Sequence, residues 1–62
     1  MIIRYIKEND NIRIYINGEK TNMYVHRTCY ASYQIYRDDI IISEQYSMDQ
    51  VTNKIKEIFN SR

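Results

Sequence analysis

Leucine, proline and tryptophan are absent from these 62 residues, and glycine, cysteine and histidine occur once each. Each scarcity removes a class of function. One cysteine forbids an intramolecular disulfide, so the chain is not built like a small secreted scaffold, and the expected compartment is a reducing cytoplasm. One histidine and one cysteine fall short of the four ligands of a structural zinc site. Asp38, Asp39 and Glu44 would complete a set only through a coincidence of folding. With Gly18 as the sole glycine, no glycine-rich phosphate loop can form. No metal and no cofactor is therefore expected. Uncharged apolar runs grow no longer than Ile40 to Ile42, and Arg4, Lys7 and Glu8 interrupt the first ten residues. The expectation is a soluble protein with neither signal peptide nor membrane span.

Excess charge is also lacking. Nine basic against eight acidic residues leave a net +1, with the signs interspersed. Strong nonspecific nucleic-acid binders carry a clear basic excess, because each neutralised phosphate releases counterions. The residues that are abundant form a pattern of their own. Phe, Tyr, Met, Ile, Asn and Lys make up 33 of the 62, whereas Gly, Ala, Arg and Pro make up 7. The first group has AT-rich codons and the second GC-rich ones. A small, AT-biased reading frame is the profile of phages and mobile elements of low-GC bacteria.

Length allows one domain, residues 1–62, near the lower limit for folding alone. Ile12, Ile14 and Ile16 alternate with Arg13 and Tyr15, the period of a strand with one buried face. Asn17-Gly18 follows, the preferred pair for a tight hairpin turn. A two-residue turn there sets Ile16 opposite Glu19, Ile14 opposite Thr21 and Ile12 opposite Met23. Ile12, Ile14, Ile16, Met23 and Val25 then share one face, and Arg13, Tyr15, Lys20, Asn22, Tyr24 and His26 the other. Residues 2–7 read as an earlier strand that returns through the polar stretch 8–11. Residues 33–37 and 40–43 read as a further hairpin about Asp38-Asp39, setting Ile35 opposite Ile42 and Tyr36 opposite Ile41; a longer loop there fits equally. Continuing straight from Val25 would bury Arg27, so the strand should bulge or end near Arg27-Thr28, with a helical turn over 28–33 as the alternative.

The final segment has a helical period. Met48, Val51, Ile55, Ile58 and Phe59 form one stripe, and Ser47 with Gln50 fits a capping box. A helix is expected over about 48–60. The fold class is thus α+β: a small antiparallel meander of four to five strands with one C-terminal helix packed on one face.

Residues 23–37 hold four of the seven tyrosines, the histidine and the cysteine. His26 and Cys29 invite comparison with a nucleophilic pair. In a strand, however, positions three apart face opposite sides, and no orienting third group or oxyanion site is marked. A small buried thiol beside a half-exposed histidine is the simpler reading, and no enzyme activity is expected. Seven tyrosines exceed what so small a core can bury with every hydroxyl satisfied. Strand preference accounts for part of the enrichment. The remainder points to a surface, since exposed tyrosine beside arginine is the composition of contact hot spots.

Two functional readings follow. In the first, the chain is a non-catalytic protein-binding module, a phage- or mobile-element-encoded inhibitor that occludes a host defence protein and is itself a homodimer. Its contact residues would be Arg13, Tyr15, Lys20, Tyr24 and His26. In the alternative, it is a small nucleic-acid-binding protein using the same Arg/Tyr sheet face, extended by Arg4. A structural subunit of a larger assembly is a third, less specific option.

Overall fold

Three two-residue hairpin connections shape the chain, and each contains backbone in the left-handed region: Asn9 (φ 57°) in the first, Asn17 (53°) and Gly18 (84°) in the second, Asp38 (54°) and Asp39 (64°) in the third. Asparagine, aspartate and glycine tolerate that region best, and tight hairpins require it. The computed structural model describes residues 1–60. Its strands are β1 (Ile3–Glu8), β2 (Asn11–Ile16), β3 (Glu19–Arg27), β4 (Tyr33–Arg37) and β5 (Ile40–Gln45), followed by α1 (Met48–Asn60). The five strands form one antiparallel meander in the order β1-β2-β3-β4-β5, and α1 packs on one face.

The second hairpin begins in the expected register, with Ile16 opposite Glu19 and Tyr15 opposite Lys20. It then shifts. Arg13 faces Tyr24 and Ile12 faces Val25, so Ile12 does not meet Met23, nor is Ile14 paired with Thr21 in the ladder. Thr21 is the physical cause. Its hydroxyl donates to the Ile14 carbonyl at 2.6 Å and accepts from the Met23 N–H at 3.2 Å, in place of a ladder bond. The Thr21 carbonyl accepts from Arg13 Nη1 at 3.2 Å, and the Asn22 carbonyl accepts from the Asp38 N–H, also at 3.2 Å. The Ile14, Thr21 and Asn22 carbonyls and the Met23 N–H thus find partners outside the regular ladder. The shift is of two residues, so side-chain alternation survives it.

The β4–β5 hairpin turns at Asp38-Asp39 and pairs Tyr36 with Ile41, as expected. Beyond that pair a one-residue irregularity sets Ile35 opposite Ser43, not Ile42. Strand β3 ends at Arg27, which is exposed. The link to β4 is a turn, not a helical segment. The Thr28 N–H donates to the Ser32 carbonyl at 2.9 Å, and the Thr28 hydroxyl lies 2.6 Å from that of Ser32. Ser32, buried to 2 % exposure, donates onward to Glu44 at 2.8 Å, which satisfies its hydroxyl.

Among the described residues, six apolar side chains are wholly buried: Ile14, Met23, Val25, Ile35, Val51 and Ile55. Four come from the central strands and two from α1, so the core lies between sheet and helix. Ile12, Ile16, Ile42, Met48, Ile58 and Phe59 pack around it. Each full burial stabilises by roughly 1.5–3 kcal/mol. The helix starts as its capping residues predict: the Gln50 N–H donates to the Ser47 hydroxyl at 3.2 Å. The Gln50 side chain accepts from the Tyr46 N–H at 2.9 Å, one residue earlier than a capping box would place it. Asp49 lies in the first turn, where the helix dipole favours negative charge.

Candidate binding surface on the open sheet face

Because α1 covers one face only, the side chains that alternate with the core line the other. Strand registers place one row of them straight across all five strands. Ile6 of β1 faces Arg13 of β2, Arg13 faces Tyr24 of β3, Tyr24 faces Tyr36 of β4, and Tyr36 faces Ile41 of β5. At its centre the row is a stack. The Tyr24 and Tyr36 rings are parallel to within 3°, with centroids 4.9 Å apart. The Arg13 guanidinium carbon lies 5.4 Å from the Tyr24 centroid. Strand order puts Arg13 and Tyr36 on opposite flanks of Tyr24, so both its faces are engaged. Such contacts contribute about 0.5–1.5 kcal/mol per aromatic pair and about 0.5–1 kcal/mol for a half-exposed cation–π pair.

The register expected from a plain two-residue turn, with Ile12 opposite Met23, would leave Arg13 diagonal to Tyr24; the shift sets the two directly opposite each other. The shift at Thr21 is what aligns them. Tyr24 also donates to Asp39 at 3.4 Å. Loss of hydration, and next the Asp39 charge, push the Tyr24 phenol above its ordinary pKa, while Arg13 pulls weakly the other way.

On this face two cations share one carboxylate. Glu8 meets Arg13 Nη2 at 3.2 Å and Lys20 Nζ at 3.5 Å. The Arg13 hydrogen bond, the largest cause, and the Lys20 charge hold the Glu8 carboxyl below its ordinary pKa. The Arg13 Nε is buried without an acceptor, which costs stability.

All five expected contact residues lie on this face. Arg13 and Tyr24 form the stack, Tyr15 sits opposite Lys20, and His26 stands one row away with its Nδ1 2.9 Å from the Asn11 side-chain oxygen. Arg4 pairs with Tyr15 and extends that third row to β1. Ile2, Arg4, Ile6, Tyr15 and Gly18 line a shallow depression of about 400 Å³ beside the stack. Ile2, Ile6 and Ile41 are 62 %, 46 % and 47 % exposed, so both margins of the face are apolar. Sequence reasoning missed Tyr36, Glu8 and the two isoleucines of β1 and β5. The Tyr36–Ile41 pairing was readable, but the turn over 28–32 hid its phase relative to β3.

Cys29 corrects another expectation: its thiol is exposed in the β3–β4 turn, not buried. Among the described residues no three His, Cys, Asp or Glu side chains are grouped so as to hold a metal ion, and no helix is long and apolar enough to cross a membrane. No protein family, no curated protein and no solved structure matches the chain.

Proposed function

We propose that the chain is a non-catalytic protein-binding module that engages a larger partner through the open sheet face, with Tyr24 and Tyr15 as its anchors. The observation that carries this reading is the sandwiching of Tyr24 between Arg13 and Tyr36. A ring held on both sides loses little freedom on binding, which suits a hot spot, and the exposed isoleucines at either margin supply apolar area. The same packing weighs against the nucleic-acid alternative. Bases stack on free aromatic faces, and phosphates seek uncompensated cations. Here the Tyr24 faces are taken, and Glu8 offsets part of the charge of Arg13 and Lys20.

The size and AT-biased composition support a narrower form: a phage or mobile-element inhibitor that acts in the host cytoplasm by occluding a defence protein. The test is paired capture from a low-GC bacterial lysate with the parent chain and with Tyr15→Ala/Tyr24→Ala. A specific partner retained by the parent and weakened by about 2 kcal/mol or more in the variant supports the proposal. Affinity for an oligonucleotide falling with a log–log salt slope of about −3 to −4, as four phosphate contacts require, would instead favour the alternative.

A further inference from the structure

The two edges of the sheet differ. At one end β5 carries the register irregularity that leaves Ile42 without a cross-strand partner. At the other, all six residues of β1 pair with β2 without a break, from Ile3 opposite Ile16 to Glu8 opposite Asn11. A regular edge with no bulge and no proline is a template for another strand. Helix α1 contacts β4 and β5 most, at the far side of the sheet.

The backbone fixes which groups the β1 edge presents. The Asn17 N–H donates to the Ile2 carbonyl at 2.8 Å, so Ile2 directs its carbonyl toward β2. Antiparallel ladders alternate strictly, so Arg4, Ile6 and Glu8 also direct their N–H and C=O groups inward, and Ile3, Tyr5 and Lys7 direct theirs outward. Glu8 and Asn11, flanking the two-residue turn, agree with this phase. A second strand docking antiparallel must therefore match outward residues with outward residues.

If that strand is another copy of β1, only a few registers remain, and their side chains distinguish them. Centring the pair on Tyr5 sets Arg4 against Ile6. Centring it on Arg4 opposes two arginines, and centring it on Lys7 opposes two lysines. Centring it on Ile6 sets Ile6 against Ile6, Arg4 against Glu8 and Glu8 against Arg4, with Tyr5 and Lys7 exchanging backbone hydrogen bonds. That register alone is complementary in charge. We infer that two copies of the chain associate through β1 in this register, about a two-fold axis at Ile6 perpendicular to the sheet. The product is one ten-stranded sheet with both helices on one side and the two open faces joined on the other. Association uses the edge and leaves the stack of Arg13, Tyr24 and Tyr36 uncovered, while it takes up Ile6 from one margin of that face.

The test combines sedimentation with amide hydrogen exchange on the full chain. A dimer whose Tyr5 and Lys7 amides gain protection as concentration rises, with the Ile41 amide unaffected, is the expected result. Lys7→Pro deletes one outward N–H from each copy, at an edge position where proline is tolerated, and should weaken association at least about tenfold. Arg4→Glu and Glu8→Arg should each weaken self-association, because each sets like charges against one another across the axis. Mixing the two variants should restore a heterodimer, since every contact between positions 4 and 8 then joins one acid to one base again. A parent chain that stays monomeric at high concentration, or a dimer in which the Tyr5 and Lys7 amides exchange freely, overturns the inference. Those two readings need only the parent, so they hold even if a variant fails to fold.

Discussion

The Tyr5 hydroxyl lies 2.6 Å from Oγ1 of Thr52, joining the first strand to the helix across 47 positions of sequence. Tyr5→Phe removes this bond and leaves the Thr52 hydroxyl to water or to its own helix. The expected loss is about 0.5–1.5 kcal/mol, read from urea denaturation. Thr52→Val should cost a similar amount, and the double variant less than the sum, since both remove one interaction.

Tyr5 also predicts an alkaline limit. Burial raises its phenol above the ordinary value of 10.0, with the Thr52 bond opposing in part. A raised pKa means the fold favours the neutral phenol. The associated stability is fully present below pH 10 and is lost as pH rises through the folded-state value. Melting temperatures from about pH 9 upward should fall less steeply for Tyr5→Phe than for the parent. Tyr24, raised likewise, keeps some of the slope in the variant.

On the acid side the sign reverses. Arg13, then Lys20, depress the Glu8 pKa, so its contribution is present above the ordinary carboxylate range and disappears as pH falls through the lower folded value. Glu8→Gln should flatten the acid limb of the stability curve and leave neutral-pH helix content unchanged by circular dichroism. A parallel displacement of the whole curve would show that the charge is irrelevant.

Gly18 has φ +84° and open space where a Cβ would stand. Any penalty for a side chain is thus backbone strain, not collision. Gly18→Val should cost at least about 1 kcal/mol, and Gly18→Asn clearly less, because asparagine tolerates positive φ. Equal melting temperatures for the two variants would contradict this account of the turn.

The exposed thiol at Cys29 should react with iodoacetamide in the native protein at the rate of an accessible cysteine, without unfolding. Cys29→Ser is expected to keep both the melting temperature and capture of the partner. Loss of capture in the serine variant would assign the thiol a role that the proposed surface does not give it.

Much of this was legible in the sequence because alternation and helical period are local. The strand faces of β2 and β3, the Asn17-Gly18 turn and the helix stripe through Val51 and Ile55 follow from side-chain order alone. What escaped was register, which depends on single hydrogen bonds. Thr21 could not be distinguished from any strand threonine until its hydroxyl was seen on the Ile14 carbonyl. Its two-residue shift preserved which side chains share a face but changed which ones touch. Arg13, Tyr15, Lys20, Tyr24 and His26 therefore share one face as alternation requires, while the direct opposition of Arg13 and Tyr24 was not legible. Tyr36 joined the stack through a strand whose phase no local pattern carried across the 28–32 turn.

Neighbours in this sheet are also neighbours in the chain, so each hairpin can close locally, with little loop entropy to overcome. The cover arrives last. Until Val51 and Ile55 dock, Ile14, Met23, Val25 and Ile35 form a wet apolar plane on the bare sheet. An intermediate without the docked helix is thus more exposed to misassociation than the finished protein. A chain truncated before Val51 would keep all five strands and still be a substrate for chaperones or proteases.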